Sequence, residues 1–233
     1  MIYKTYLELK NEVLQETDTE AEEFIQVSEV LTYFNDAVRE ALAHIQKLGL
    51  EDDYFQKSVP YDLTIGLQEL ILPVDIYAAK IRGLIYATPA SVYPITRIKG
   101  PNKFTVIQQL LQNPAPNAFY QYDLENPSPT TGFKIKLYPF SYENLVGCIT
   151  LNYVRTVTVI VLDTDLVDIP EFYSFIKAYV KYKIFNKEFG PKSDDAKAEY
   201  EKEKQLMMET LSEMTPDYDN KIIGDYSTYE EHA

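Results

Sequence analysis

Two stretches of this chain repeat apolar residues every three or four positions, and the stretch between them does not. Val30, Leu31, Phe34, Ala37, Val38, Ala41, Leu42, Ile45 and Leu48 fall on one stripe of an α-helix, which predicts an amphipathic helix stopped by Gly49. Residues 3–15, with Tyr6, Leu7, Leu9, Val13 and Leu14, predict a shorter helix with a less regular apolar face. Thr19 and Glu22 have the spacing of a capping box. Near the other end, Pro170 suits a first helical turn, where its missing N–H has no intrahelical partner to lose. Phe172, Phe175, Ile176, Tyr179, Val180 and Ile184 then recur with helical spacing, Phe185 widens the face, and Gly190-Pro191 stops it. A further helix is expected from Ser193 or Asp194, with Ala196, Tyr200, Met207, Leu211 and Met214 as a narrow stripe among Glu and Lys. The short connection predicts an antiparallel helical hairpin.

In the middle the period changes. Residues 68–73, 81–88, 119–123, 132–139 and 147–161 are rich in Ile, Val, Tyr and Thr and bounded by Pro, Gly and Asn, which predicts strands. Phe133, Ile135 and Leu137 alternate with Lys134, Lys136 and Tyr138, as a strand with one buried face should. Residues 104–113 (FTVIQQLLQN) predict a short helix interrupting the sheet, and residues 126–132 (NPSPTTG) a hairpin connection. The expected class is therefore α+β. A helical bundle from the N- and C-terminal helices (1–53 and 166–214) carries an inserted β-rich region (54–165) and an extended C-terminal tail (215–233), effectively as one domain.

The chain is 45% hydrophobic, enough for a real core, yet has no run of about 18 apolar residues that would predict a membrane span. Its acidic, Tyr-containing start lacks the basic and apolar regions of a signal peptide, so synthesis and assembly in the cytoplasm are expected. The net charge of −14 is uneven: residues 193–233 hold twelve acids and four lysines. That balance argues against coating nucleic acid, which requires Lys and Arg to neutralise phosphates. Arg97, Lys99 and Lys103, around the Gly100-Pro101 turn, are a local exception. They read either as a solvated loop or as the lining of a lumen through which nucleic acid passes.

The chemistry-bearing residues are few. His44 reads as a helix-surface residue and His232 as part of a frayed end, since neither has a partner at metal-ligand spacing. The single cysteine, Cys148, reads as an inert buried thiol in a strand. The sequence has no Gly-rich phosphate loop, dinucleotide fingerprint or nucleophile elbow, and no cofactor or metal is expected. Two acidic clusters, Glu51-Asp52-Asp53 and Asp163, Asp165, Asp168, fall at helix boundaries. Caps and turns account for them; a cation site at the second, or a paired-carboxylate hydrolase, is the chemical alternative.

Tyrosine is the compositional outlier, with 20 Tyr and no Trp. A coding bias and a use at interfaces both explain it. The tail concentrates the question in Tyr218, Ile222, Ile223, Tyr226 and Tyr229 on an acidic background. Ordering its 19 residues costs about 20 to 40 kcal/mol of backbone entropy, whereas five anchors return about 8 to 15 kcal/mol. The tail is thus expected to be mobile alone and to order on a partner, or to remain a disordered terminus.

The runs FIQVSEVLTYFNDAVREALAHIQKLG and DIPEFYSFIKAYVKYKIFNKEFGPKSDDAKAEYEKEKQLMMETLSEM, flanking the strand-rich middle, resemble the head-to-tail connector adaptors of podoviruses. These are also called tail accessory factors or portal-proximal ring proteins, and crAss-like phages have a comparable first ring protein. The resemblance spans roughly residues 24–214 and includes Asn35, Asp36 and Ala37 and the Pro-initiated C-terminal helix. It implies a structural virion protein at the head–tail junction, a homo-oligomer of typically twelve copies beneath the portal protein. It implies a distal tail or ring protein as the next partner, and genome DNA passing through the channel without specific binding. Residues 28–48 and 170–214 would form the ring body, residues 54–165 the distal platform, and residues 215–233 a segment docked on a neighbour or on the portal. The alternatives are a carboxylate-based cell-wall hydrolase associated with a tail and a host-directed protein-binding module that offers its acidic tail to a basic partner.

Overall fold

The stripe that starts at Val30 is the buried face of α2 (Val27–Lys47). Val30, Phe34, Ala37, Val38, Ala41 and Ile45 are all buried in this computed structural model. Residues 2–18, 25–112, 120–128, 132–188 and 192–214 are described, except the side chains of 126–128 and 188. At its start Glu29 accepts a hydrogen bond from the Gln26 N–H at 3.0 Å. At its end Gly49 takes φ +73°; its N–H reaches Gln46 C=O and that of Leu50 reaches Ile45 C=O, both at 3.1 Å. This is a Schellman closure, which a residue without Cβ enters at least cost.

α1 (Tyr6–Thr17) begins later than residue 3 because its cap is Thr5. The Glu8 N–H donates to Thr5 Oγ1 at 3.3 Å, and the Thr5 N–H donates back to Glu8 Oε2 at 2.7 Å. The box expected at Thr19 and Glu22 lies outside the described residues. Pro170 opens a 3-10 turn (Pro170–Phe172) that runs into α5 (Tyr173–Glu188). α6 (Lys192–Met214) returns antiparallel along it: Lys181 pairs with Glu199 at 2.6 Å, and the Tyr182 and Tyr200 rings stack with centroids 5.6 Å apart. Ala196, Tyr200, Met207 and Leu211 form its buried stripe, while Met214, expected to complete it, is exposed.

These four helices constitute one compact unit, Met1–Leu50 with Ile160–Ala233, and Glu51–Val159 constitutes a second. The chain is α+β, and both chain ends build the helical unit. The boundaries fall three and six residues before those expected, at 50/51 and 159/160 instead of 53/54 and 165/166, for reasons visible in the hydrogen bonds. Leu50 closes α2, whereas Glu51 begins α3 (Glu51–Phe55), whose side chains engage Lys80 and Arg82. On the return, Asn35 of α2 clamps residue 160: its Nδ2 donates to Ile160 C=O at 3.0 Å and its Oδ1 accepts the Ile160 N–H at 2.9 Å. The Tyr6 and Leu7 N–H groups then donate to Asp165 and Asp163 C=O.

The second unit packs two four-stranded sheets over a common core. The first has the order β1 (Gln56–Leu63), β8 (Leu145–Arg155), β3 (Ile76–Thr88), β4 (Ser91–Pro94), all antiparallel. The second has the order β2 (Glu69–Ile71), β7 (Gly132–Tyr138), β6 (Gln121–Ser128), β5 (Thr96–Arg97), with β5 parallel to β6. Leu84, Tyr86, Ile149, Leu151 and Tyr153 from one sheet meet Ile135, Leu137, Tyr120 and Leu70 from the other.

β7 shows the alternation from Lys134 to Leu137, with Ile135 and Leu137 buried and Lys134 and Lys136 paired to Glu69 and Glu125, but Tyr138, expected on the face of the lysines, is buried at the strand's end. β3 starts at Ile76 because Ala78 and Ala79, at φ +47° and +54°, form an irregularity that breaks the period-2 pattern before Ile81. β1 escapes the pattern because it is an edge strand carrying Lys57 and Pro60, residues that edges tolerate and interiors do not. β8 ends at Arg155, six residues short of the expected 161. The middle helix is α4 (Lys103–Gln112).

Candidate functional site

The basic turn is built by a change of sheet. Thr96 and Arg97 leave the first sheet's edge to pair with Gln121 and Tyr122, and the Ile98 N–H donates to Tyr122 C=O at 2.8 Å. Gly100 then turns the chain at φ +96°, and the Lys103 N–H donates back to Gly100 C=O at 3.2 Å. Arg97 and Lys99 are exposed, as a solvated loop requires. Lys103 is different. Its Nζ lies 2.6 Å from Asp123 Oδ2, so its charge is met within the unit and is not offered to a ligand. The expected trio thus divides: Lys103 is bound, while Arg97 and Lys99 have no ion-pair partner among the described residues. The five tail residues Tyr218, Ile222, Ile223, Tyr226 and Tyr229 lie outside the described residues.

Glu51, Asp52, Lys80 and Arg82 form an ionic cluster at the start of the second unit. Lys80 Nζ and an Arg82 nitrogen approach Glu51 Oε1 at 2.8 and 3.1 Å, while Arg82 Nε holds Asp52 at 2.6 Å. Burial pushes the Glu51 carboxyl up, but the Lys80 hydrogen bond and the two cationic charges outweigh it and hold its pKa below the usual range. The carboxyl pKa values of Glu8, Glu12, Glu16, Glu29, Glu40, Glu51, Glu69, Asp75 and Asp165 are displaced downward, whereas a glycosidase's general acid is displaced upward.

The second acidic cluster is a loop brace. Asp165 Oδ2 accepts the Val161 and Leu162 N–H groups at 2.8 Å each, and Asp163 pairs with Lys10 at 2.9 Å. Among the described residues no group of three His, Cys, Asp or Glu side chains is placed to hold a metal.

Two residues read as isolated are not alike in setting. Cys148 is buried, with burial pushing its thiol pKa up, as expected of an inert thiol. His44, expected on the helix surface, is half-buried and belongs to a network that joins α2 to α6. Glu40 accepts from Tyr200 Oη at 2.6 Å and from Lys204 Nζ at 2.8 Å, and His44 Nε2 lies 3.7 Å away. Burial first, then the bond to Glu40, pushes Tyr200 up to about 12. Burial also lowers the His44 pKa.

Sequence reasoning missed one surface. Ile2, Tyr3 and Leu7 at the start of α1, with Val161, Leu162 and Leu166 on the turn-containing segment bonded to it, are all exposed. The irregular apolar face of residues 3–15 was its signal: Tyr6, Leu9 and Val13 face the core, and Leu7 faces outward. Nine of the described tyrosines are buried and serve the two cores. No protein-family model matches the chain, and no curated protein matches it in sequence.

Proposed function

We propose that the chain is a structural virion protein, a head-to-tail adaptor that forms an oligomeric ring beneath a portal protein. In this reading it extends the DNA channel and presents a platform to the next tail component. The observation that carries it is the layout: helices from both chain ends make one unit, and residues 51–159 leave and re-enter that unit as an insertion. This is the arrangement on which the resemblance to podovirus adaptors rests. The exposed apolar belt of Ile2, Tyr3, Leu7, Val161, Leu162 and Leu166 supports it, since solvent-facing clusters of this kind mark contact surfaces.

The helical unit serves as the ring body, packed against adjacent copies, and the two-sheet unit as the platform. The tail from residue 215 serves as a docking segment. The acidic balance suits a wall past which DNA slides without sticking. Mass spectrometry of purified particles tests the reading: the chain is expected at the copy number of the portal protein, and electron microscopy of the mixture with a portal ring is expected to show added twelve-fold density. Absence from particles, together with a monomer that never joins the portal, refutes it.

A further inference from the structure

Arg97 lines a cleft that opens where the first sheet loses an edge strand. β4 covers one edge of β3 only from Thr88 to Ile85, opposite Ser91 to Pro94. One more bond follows, from the Ile95 N–H to Leu84 C=O at 2.7 Å, and the chain then leaves to pair Thr96 and Arg97 with β6 of the other sheet. The segment from Ile81 to Gly83 therefore has β8 on one side and, among the described residues, no strand on the other. The cleft beside it has a volume of about 420 Å³, within the range of about 300 to 1,000 Å³ usual for ligand sites.

Its lining is rich in hydrogen-bond donors and includes no acid. Arg82 adds no uncompensated charge, because Glu51 and Asp52 hold its guanidinium. Arg97, without an ion-pair partner among the described residues, is then the one unmatched charge of the lining. Tyr122 also lines the cleft; it is only 8% exposed, yet its hydroxyl has no hydrogen-bond partner among the described residues. Burial pushes the Tyr122 pKa up and the positive charge of Arg97 opposes that rise, so the guanidinium lies close enough to act on the phenol. Asn152 Oδ1 accepts from Ser58 Oγ at 2.6 Å, which leaves Nδ2 as its free end, 3.7 Å from where a Cβ on Gly83 would stand. Gln56 contributes a second side-chain amide, and Ile81, Ile85 and Pro94 supply apolar wall.

We infer that this cleft binds a carboxylate carried by an Asp or Glu side chain of an extended peptide segment. Arg97 and Tyr122 hold the carboxylate, the Asn152 and Gln56 amides offer donors to the same segment, and the uncovered edge of β3 at residues 81–83 pairs with its backbone. One unmatched cation suits a monoanion, whereas a phosphate monoester brings a charge of about −1.5 to −2. The guanidinium fork also fits the two oxygens of a carboxylate. A strand edge without a neighbour takes an extended backbone, which a free small acid does not have. The chemistry of the cleft does not depend on the adaptor reading, and failure of either leaves the other standing.

The test titrates the full chain with the acetylated and amidated pentapeptide Thr-Val-Asp-Val-Thr, whose β-branched residues favour extension, and follows amide chemical shifts. Shifts are expected at Ile81, Gly83 and Arg97. The Asn counterpart of the peptide, and Arg97→Gln in the protein, are each expected to weaken binding about tenfold or more, as loss of a charge-assisted hydrogen bond does. Tyr122→Phe, which keeps the buried ring, is expected to weaken it about threefold to tenfold. Lys99→Gln, outside the lining, is expected to leave it unchanged. Absence of shifts at these amides with millimolar peptide overturns the site. Equal binding of the Asn peptide, or unaltered binding by Arg97→Gln, overturns the role of the carboxylate, and a loss in Lys99→Gln equal to that in Arg97→Gln shows attraction by surface charge alone and does the same. Butyrate binding as tightly as the peptide assigns the cleft to a free small carboxylate and overturns the peptide. Should Tyr122→Phe lose its far-ultraviolet circular dichroism spectrum, Arg97→Gln, at an exposed position, carries the test.

Discussion

Asn35→Ala isolates the clamp that holds the returning chain to α2. The side chain makes two bonds to one residue, to Ile160 C=O at 3.0 Å and from Ile160 N–H at 2.9 Å, and its Nδ2 also reaches Leu31 C=O at 3.1 Å. Ile160 itself is buried, so truncation leaves a backbone donor and acceptor with poor access to water. At about 1 to 1.5 kcal/mol for each stranded group, the helical unit should lose about 2 to 3 kcal/mol. With a urea slope of about 2 to 3 kcal/mol/M, the midpoint followed by far-ultraviolet circular dichroism should fall by about 1 M.

The neighbouring Asp36→Ala provides the contrast. Asp36 only pairs with exposed Arg39 at 3.3 Å, and its loss should cost less than about 0.5 kcal/mol. Asn35→Asp keeps the acceptor but sets a carboxylate oxygen against Ile160 C=O. Its deficit relative to the wild type should therefore shrink as pH falls and the carboxyl protonates into a donor. If Asn35→Ala shifts the midpoint no more than Asp36→Ala, the clamp does not hold the fold and the reasoning fails.

Three further outcomes follow from the same contacts. Tyr200→Phe removes the 2.6 Å bond to Glu40 and should cost about 1 to 2 kcal/mol in urea unfolding; because burial opposes but Lys204 and Tyr200 together lower the Glu40 pKa, that network's stabilisation is present above the usual carboxylate range and is lost as pH falls through the lowered folded value, so acid should narrow the gap between variant and wild type. Glu51→Gln leaves Lys80 and Arg82 sharing a neutral amide and should destabilise the two-sheet unit by about 2 kcal/mol, read as faster amide exchange in β3 and β8, with unchanged exchange counting against the cluster. Cys148 should resist a soluble aromatic disulfide reagent in the native chain and react fully in denaturant; rapid native reaction would show that the thiol is not held as described.

The helices were legible wherever one face is apolar and the punctuation is local. α2, with its stripe from Val30 to Ile45 and its Gly49 stop, depends on spacing and on a single residue's freedom to take positive φ. The same holds for α5 and α6, and for β7, where alternation of Ile135 and Leu137 with lysines exposes one face and buries the other. β1 was not legible, since Lys57 and Pro60 make sense only once the strand is known to lie at an edge. Nor were β4 and β5, whose short pairings depend on partners in β3 and β6.

The candidate surfaces divide in the same way. Sequence alone determined that Arg97, Lys99 and Lys103 share a turn, that the C-terminal segment is acidic, and that both chain ends are helical. Only the tertiary structure decided that Asp123 neutralises Lys103 while Arg97 and Lys99 find no ion-pair partner among the described residues, that His44 joins Glu40, Tyr200 and Lys204, and that Glu171 and Glu203 line one groove. The physical reason is range. Periodicity, capping and turn chemistry act over a few residues and are written in order along the chain, whereas the pairing of a charge is settled by whichever group packing brings within about 4 Å of it.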